Sequence, residues 1–264
     1  GMRVIALRVI HPFIARDAER NLFYAYGDRM TERRARAISR KTAITLGWSM
    51  LDCYYMWLLF PWFDIEKIVA RVVNRSAVDA AVAEGHGLFI ATAHFNCFEI
   101  MPVYFARKVT DTGGVIARKI PSPFLTWLNR RARLLHGIPT YYDEVRGVVR
   151  ALRKGGVVGI VPDLHAKRRL GMESTFYGKP TMTLDVHWRL AAKLQAPVIA
   201  AYALRHRREP WRYTIEFTAP LRISPGADDD EVRAKVQELN DVLEKYIRRF
   251  PGSWYWFTNR WRLR

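Results

Sequence analysis

The first quarter of the chain has a helical pattern of apolar and charged positions. Over residues 31–62, arginine-rich positions form a charged face, and apolar residues then recur at helical spacing. These apolar residues are Leu46, Met50, Leu51, Tyr54 and Leu58. Residues 65–73 predict a further short helix. The pattern therefore predicts a helical N-terminal segment over residues 1–75.

Short apolar runs alternate with helical stretches after Gly87. The runs predict buried strands at residues 88–93, 115–117, 157–161 and 198–202. The helical stretches between them are residues 98–107, 124–135, 144–153 and 186–194. Because strands that alternate with helices form a mainly parallel sheet with helices on both faces, residues 76–264 predict an α/β core. We expect one domain over residues 1–264.

The end of the chain adds a different strand and a long helix. Residues 213–217 alternate apolar and polar side chains, which predicts an antiparallel edge strand. A last helix is predicted after residues 224–226, because Asp228, Asp229 and Asp230 would lie at its positive end. Its buried stripe is predicted to contain Val232, Val236, Leu239, Leu243 and Tyr246.

The composition is that of a folded chain with a strongly cationic surface. Half of the 264 residues are hydrophobic and 26% are charged, which excludes a disordered chain. The 43 Lys and Arg against 25 Asp and Glu leave a net charge of +18, which attracts nucleic acid, anionic membranes, phosphorylated substrates or an acidic carrier protein. The 9 Trp, 12 Tyr and 13 Phe suit a membrane interface or stacking on single-stranded nucleic acid.

Neither a membrane span nor a disulfide framework is visible in the sequence. The most apolar segment, residues 46–62, is shorter than the roughly 20 residues that cross a bilayer, and it contains Asp52 and Pro61. It predicts a partly buried or interfacial helix. The two cysteines, Cys53 and Cys97, fit neither a disulfide framework nor a zinc pattern, which favours a reducing compartment.

The strongest candidate for chemistry follows the first strand of the α/β core, where His94 precedes Glu99. Sites in open α/β sheets form beyond the carboxyl ends of strands, which is where His94 would lie. If Asn96 caps the next helix, Glu99 falls at its third position and turns back toward the imidazole. The carboxylate would then hold one ring nitrogen while the other accepts a proton. The alternative is that Glu99 only completes a capping box and His94 is a structural histidine.

The order of several motifs along the chain resembles one known family. The motifs are residues 88–93 with His94 and Glu99, 114–119 followed by 122–125, 161–163 followed by 176–178, 196–199, and the terminal segments 19–22, 31–40 and 256–262. On these residues the chain resembles the lipid A biosynthesis acyltransferases, the lauroyl and myristoyl transferases, whose active-site motif is similar to that of the glycerolipid acyltransferases. The resemblance covers nearly the whole chain and implies a glycerolipid-acyltransferase-like α/β fold.

The resemblance implies an enzyme, a membrane-associated O-acyltransferase. Such an enzyme moves a fatty acyl group from an acyl carrier protein thioester or acyl-CoA to a hydroxyl of a lipid A precursor or related glycolipid. His94 and Glu99 match the family's His-x4-acid motif, as general base and orienter. Backbone N–H groups after Asn96 would stabilise the oxyanion. The implied reaction needs no acyl-enzyme. It implies no cofactor either, because the acyl thioester is a co-substrate.

The resemblance also implies residues for substrate binding. Arg118 matches the family's second motif and would bind a phosphate or other polar group of a phosphorylated lipid acceptor or of the donor. Arg131 and Arg133 lie one helix further on, either on a solvated face or against a phosphate or the carrier protein. Asp163 is expected to organise the site, and Asn96 is placed with the binding residues.

The chain departs from the family pattern at a few positions. Residues 96–98 read Asn-Cys-Phe where many members have Gly-Asn-Trp, and Thr258 stands where histidine is common. After Asp163, Leu164 and His165 replace a common glutamine. His165, Asp163 and Glu173 have no firm metal-ligand spacing, and no metal is expected. Cys97 is expected to be a small core residue.

Basic segments rich in aromatic residues indicate where such an enzyme would meet a membrane. They are residues 33–41, 118–133, 205–212 and 248–264. With the 46–62 helix and the Trp-rich tail, they are expected to hold the enzyme on the cytoplasmic face of the inner membrane, peripherally or beside an anchor outside this sequence. We expect a hydrophobic groove over the sheet for the acyl chain.

Two alternatives stay open from the sequence. An acyltransferase of this kind could act on another lipid acceptor, such as a lysophospholipid or an aminolipid. A non-catalytic basic protein that binds nucleic acid would account for the +18 charge. That alternative leaves the strand-end His94, Glu99 and the apolar 46–62 segment unexplained, so we expect no nucleic-acid partner.

Overall fold

The computed structural model describes residues 1–58, 63–119, 122–142 and 144–262. The chain begins with α1 (Met2–Ile5), a π-helical turn (Ala6–Ile10), α2 (His11–Tyr26), a 3₁₀ turn (Gly27–Arg29) and α3 (Glu32–Leu58). Both α1 and α2 pack along α3, closely at Gly47, where an added Cβ would lie 2.8 Å from Met2 Sδ. The helix predicted over residues 31–62 is confirmed as far as Leu58, and residues 59–62 lie outside the described residues.

The segment predicted as a second short helix is half helix and half strand. Helix α4 (Ile65–Ile68) ends where strand β1 (Val69–Val73) begins. Valine dominates β1, and its branched Cβ favours a strand that can pair in a sheet. The prediction of a wholly helical segment over residues 1–75 is therefore wrong at β1, because this strand joins the central sheet.

The central sheet is mainly parallel, as predicted. The remaining strands are β2 (Leu88–Ala91), β3 (Gly113–Ile116), β4 (Thr140–Tyr141), β5 (Val157–Ile160), β6 (Gly171–Phe176), β7 (Lys179–Leu184), β8 (Val198–Arg205) and β9 (Tyr213–Phe217). In the described part of the chain, seven strands form one sheet in the order β1-β9-β8-β2-β5-β3-β4. Strands β8, β2, β5, β3 and β4 are parallel to one another.

Two features of the strands differ from the sequence prediction. Strand β9 is antiparallel to β8, as predicted, but it is not at the edge, because β1 pairs with its other side. Strands β6 and β7 form a separate antiparallel hairpin that the sequence did not predict. The hairpin packs against the C-terminal helix of the chain.

Helices cover both faces of the sheet. They are α5 (Arg75–Ala83), α6 (Ile100–Lys108), α7 (Pro123–Leu135), α8 (Val145–Arg153), α9 (Val186–Leu194) and α10 (Asp229–Arg249). Alternate side chains of β2 enter two cores: Leu88 and Ile90 pack on the α6 side, and Phe89 and Ala91 on the α8 and α9 side. The α/β core flanked by helices is confirmed, with helix ends within about two residues of those predicted.

Two of the regions expected to meet a membrane, the 46–62 helix and the Trp-rich tail, differ in exposure. The second half of α3 exposes Met50 and Tyr54, whereas Trp254, Trp256 and Trp261 of the tail are buried. The expectation that the Trp-rich tail contacts a membrane is wrong, because these indoles pack in the core. Among the described residues, no helix combines the length and the apolar character needed to cross a bilayer.

Candidate active site

His94 lies at the carboxyl edge of the sheet, just beyond β2, and its partner is Asp163. The imidazole Nδ1 is 2.7 Å from Oδ1 of Asp163, and the backbone N–H of His94 donates to Oδ2 at 2.9 Å. Asp163 follows β5, which lies beside β2 in the sheet. The carboxyl ends of two neighbouring parallel strands therefore bring the acid to the histidine.

Glu99, the expected partner of His94, is paired with an arginine instead. The Arg133 Nε donates to Oε2 of Glu99 at 3.0 Å, and Arg133 Nη2 donates to Oε1. This fork-shaped contact engages both carboxylate oxygens. Because Asp163 already holds Nδ1 of His94, the structure corrects the predicted pairing of His94 with Glu99.

The turn between β2 and α6 explains where Glu99 lies. Asn96 has a left-handed backbone conformation, with φ +47°, and its Nδ2 donates to the Ala203 carbonyl at 2.7 Å. The Asn96 N–H donates to the Ser253 carbonyl at 2.8 Å. Glu99 is therefore the N-cap residue of α6 rather than its third residue. Asn96 is buried and shapes this turn, which corrects its placement among the substrate-binding residues.

The electrostatics of the pair suit an ionised acid beside a basic imidazole. Asp163 is 2% exposed and also accepts a hydrogen bond from Trp254 Nε1 at 2.8 Å. Burial alone would raise the pKa of Asp163, but the His94 charge and these hydrogen bonds lower it. Burial alone would lower the pKa of His94, but the charges of Asp163 and Glu99 and the Asp163 hydrogen bond raise it above its ordinary value.

A largely apolar cavity opens beside His94, whose side chain is 24% exposed. The cavity has a volume of about 720 Å³, which lies within the range of small-molecule sites, roughly 300–1,000 Å³. Polar groups of Glu99 and Arg133 lie at its wall with His94. Its apolar wall includes Ile90, Met101, Phe105, Val115, Ile138, Val148, Ile160 and Leu190. A fatty chain could therefore lie next to a candidate base, as the expected groove requires.

The predicted binding arginines fall in different places. Arg118 is exposed and lines the cavity, and Arg133 lines it as well. Arg131 is exposed on α7, about 200° around the helix from Arg133. Among the described residues, Arg131 does not line the cavity, so its predicted substrate contact is corrected to a position on the outer face of α7.

The sequence alone does not reveal the His94–Asp163 pair or the indole that supports it. The available signal was the position of Asp163 at the end of a predicted strand. That signal becomes specific only when β5 is known to lie beside β2, since 69 positions separate the two residues.

Cys97 is a buried core residue, as predicted. Its Sγ lies 3.8 Å from Sγ of Cys53. A hydrogen bond with Cys53 and burial raise the pKa of the Cys97 thiol well above its ordinary value. A nucleophilic cysteine needs the opposite shift, because the thiolate is the reactive form.

Comparison with known proteins adds sequence relatives over the whole chain. The model of a family described as bacterial lipid A biosynthesis acyltransferase matches residues 5–263. The chain is 25% identical over 273 aligned residues to a lipid A biosynthesis lauroyltransferase of Escherichia coli K12, covering 100% of this chain and 84% of the relative. It is 21% identical over 275 aligned residues to the palmitoleoyltransferase of the same organism, with the same coverage.

Solved structures were also found to be similar to this chain. One of these structures is the 1-acyl-sn-glycerophosphate acyltransferase of Thermotoga maritima, with 14% identity and a TM-score of 0.39. The match covers 94% of this chain and 96% of that one.

Proposed function

This chain belongs to the bacterial lipid A biosynthesis acyltransferase family, and we propose that it transfers a fatty acyl group from an acyl carrier protein or coenzyme A thioester to a hydroxyl of a lipid A precursor or related glycolipid. The single observation that carries the proposed mechanism is the His94–Asp163 pair beside the apolar cavity. This reaction requires a general base, a nearby apolar cavity for the hydrocarbon chain, and cationic groups.

His94 acts as the general base in this proposal. Because Nδ1 is held by the Asp163 carboxylate, its proton lies there, and Nε2 is left to accept a proton. Nε2 removes the proton of the acceptor hydroxyl as the oxygen attacks the thioester carbonyl carbon. The carbon–sulfur bond then breaks, and the imidazolium returns the proton to the departing thiolate. Asp163, rather than Glu99, orients the ring and stabilises the imidazolium.

Glu99 and Arg133 act together on substrate charge. Their side chains are mostly buried, and the Glu99 carboxylate fixes the plane of the Arg133 guanidinium at the cavity wall. A guanidinium has five N–H donors, and those not directed at Glu99 remain for a phosphate or for the developing oxyanion. Glu99 is therefore proposed as a positioning residue for Arg133, and its charge also raises the pKa of His94.

Two further groups support the proposal. The backbone N–H groups of Cys97, Phe98 and Glu99 have no acceptor among the described residues, and they lie at the start of α6, where a helix favours negative charge. We assign them to the oxyanion. Arg118 and Lys119 are exposed and line the cavity, and they are assigned to phosphate groups of the acceptor or the donor.

The proposed location is the cytoplasmic face of the inner membrane, with peripheral attachment. It is supported by the net charge of +18 and by the exposed apolar side chains of α3. An acidic carrier protein would be attracted by the same positive charge.

The test is transfer by the purified protein from acyl carrier protein or acyl-CoA to a phosphorylated glycolipid acceptor. We expect His94→Ala to abolish transfer while the thermal unfolding curve keeps its shape. Full activity of that variant would remove His94 from the base role. Mass spectrometry of lipids from a deletion strain identifies the acceptor, and loss of an acyl group from a phospholipid or aminolipid alone would contradict the glycolipid assignment.

A further inference from the structure

The outer face of α7 carries a row of large apolar side chains. Phe124 is 65% exposed and Trp127 is 58% exposed, and their rings stack with centroids 6.1 Å apart. Leu134 and Leu135 are exposed at the other end of the helix. At 100° per residue these side chains fall within about 100° of one another around α7. Arg131 lies in the same sector, and an exposed face with this many large apolar side chains marks an interaction surface.

The opposite face of α7 belongs to the candidate active site. Asn129 and Arg133 point to the cavity that contains His94. Any partner that binds the outer face of α7 is therefore separated from the cavity by the width of one helix. The position of α7 also sets the position of Arg133, which holds Glu99.

A second group of exposed apolar side chains lies on the second half of α3, which contacts α7. His136, which follows α7, donates from Nε2 to the Met56 carbonyl at 3.1 Å and joins the two helices. Near that junction α3 exposes Met50, Leu51, Tyr54 and Tyr55. We call α7 and these α3 residues the outer apolar surface.

The charges around the outer apolar surface indicate its partner. Arg130 and Arg131 are exposed on α7, and Arg118 and Lys119 are exposed just before it. Residues 123–135 contain no acidic residue. Arg131 lies within the apolar face of α7 and Arg130 lies at its edge. A helix with tryptophan, phenylalanine and leucine on the same side as exposed arginines is typical of helices that lie in the interface of an anionic bilayer, because a long arginine side chain reaches the headgroups.

We propose that α7 docks onto the surface of an anionic bilayer, with Phe124, Trp127, Leu134 and Leu135 inserted among the lipids and Arg130 and Arg131 at headgroup level. The inference rests on the proposed function, since a lipid acceptor lies in such a bilayer. Docking would hold the cavity about one helix width from the membrane surface, close to an acceptor that lies in the lipid.

The first test measures co-sedimentation with vesicles of phosphatidylglycerol and phosphatidylethanolamine. Phe124→Ser with Trp127→Ser is expected to weaken binding by about tenfold or more, because two buried aromatic side chains are lost from the lipid. The matched control is Phe23→Ser, an aromatic side chain 39% exposed on α2. Wild-type binding by the double variant, or an equal loss in the control, would overturn the proposal.

The second test separates a local contact from general charge attraction. This test compares two double variants that change the net charge equally. The α7 variant combines Arg130→Glu and Arg131→Glu. The control combines Lys193→Glu and Lys245→Glu, at two exposed lysines on α9 and α10. We expect the α7 variant to lose binding to anionic vesicles, and the control to keep most of it. Equal losses would mean that net charge, not α7, determines binding, and would overturn the proposal.

The third test distinguishes failure of docking from failure of the proposed function. Transfer is measured with the acceptor embedded in vesicles and with the acceptor dispersed in detergent. The Phe124→Ser, Trp127→Ser variant is expected to lose activity on vesicles and to keep it in detergent. If the wild type transfers in neither, the proposed function fails, while the vesicle-binding tests still decide on docking. Loss of the variant's activity in both settings would contradict a docking role.

Discussion

The two acids near His94 have different surroundings, which assign them different parts in the proposed reaction. Asp163 is held by the His94 ring, the His94 backbone and the Trp254 indole. Glu99 faces the guanidinium of Arg133. A carboxylate on Nδ1 selects the tautomer of the imidazole and stabilises its protonated form, whereas a carboxylate on an arginine fixes the direction of a cation. Substitutions that remove only the charge of each acid should therefore have different effects.

We expect Asp163→Asn to lower kcat by roughly 10³- to 10⁴-fold, because the amide cannot stabilise the imidazolium and can favour the wrong tautomer. Glu99→Gln should lower kcat less and raise KM for a phosphorylated substrate, because Arg133 loses its fixed direction. Steady-state kinetics of the two variants check this. The control is Glu173→Gln, an exposed carboxylate in the β6–β7 hairpin. A larger loss of kcat in Glu99→Gln than in Asp163→Asn would reverse the assignment.

The raised pKa of His94 gives a pH dependence with a definite sign. The base works only as neutral imidazole, so kcat/KM should rise with pH across a pKa above the usual value for histidine, about 6.5. Because the charge of Glu99 contributes to the raised pKa, Glu99→Gln should move this limb to lower pH. The measurement is the pH profile of kcat/KM for both proteins. A limb that does not move, or moves to higher pH, would show that the titrating group is not His94.

At the scale of elements, the sequence predicts what is locally encoded and misses what depends on strand order. The apolar runs of β2, β5 and β8 are buried on both faces, so their composition alone identifies them. Strand β1 was missed because Arg71 interrupts a short run that is exposed in part. The β6–β7 hairpin was missed because its residues are mostly polar or small and lie outside the main sheet.

The candidate site was predicted in the same uneven way. His94 at a strand end and a cavity over the sheet follow from local pattern and from the resemblance. The local pattern does not predict that His94 pairs with Asp163 and Glu99 with Arg133. These pairs depend on which strand lies beside β2 and on the left-handed turn at Asn96. Neither is encoded in the spacing of two residues.

Strand β5 offers a test of where the acyl chain lies. Gly159 lines the cavity, and a Cβ added there would lie 3.3 Å from Val115 Cγ1, so a larger side chain must extend into the open space. Gly159→Leu is expected to lower kcat/KM for long-chain thioesters more than for short-chain thioesters, and Gly159→Ala should have a smaller effect. Rates measured across a series of chain lengths check this. An equal loss at all lengths would place the chain elsewhere.

At the scale of the whole molecule, the C-terminal tail joins the N-terminal helices to the candidate active site. The Asn21 Nδ2 donates to the Trp256 carbonyl at 2.7 Å and to the Thr258 carbonyl at 3.0 Å. Two residues before Trp256, the Trp254 indole supports Asp163, and the Tyr255 hydroxyl donates to the Asn96 carbonyl at 2.8 Å. Three segments far apart in sequence are therefore held by one tail.

This arrangement predicts that α2 stabilises the fold through the tail without taking part in the reaction. Asn21→Ala leaves two carbonyls without their donor in a mostly buried setting, which should lower the free energy of unfolding by about 1–3 kcal/mol. The neighbouring Arg20→Ala removes only an exposed ion pair with Asp17 and should change it by less than about 0.5 kcal/mol. Denaturant unfolding of both variants measures the difference. Asn21 is distant in sequence from His94 and does not contact it. We therefore expect kcat, measured at a temperature where both variants are folded, to stay close to that of the wild type. A large loss of kcat in a stable Asn21→Ala protein would mean that the tail sets the geometry of Asp163 as well as the stability of the fold.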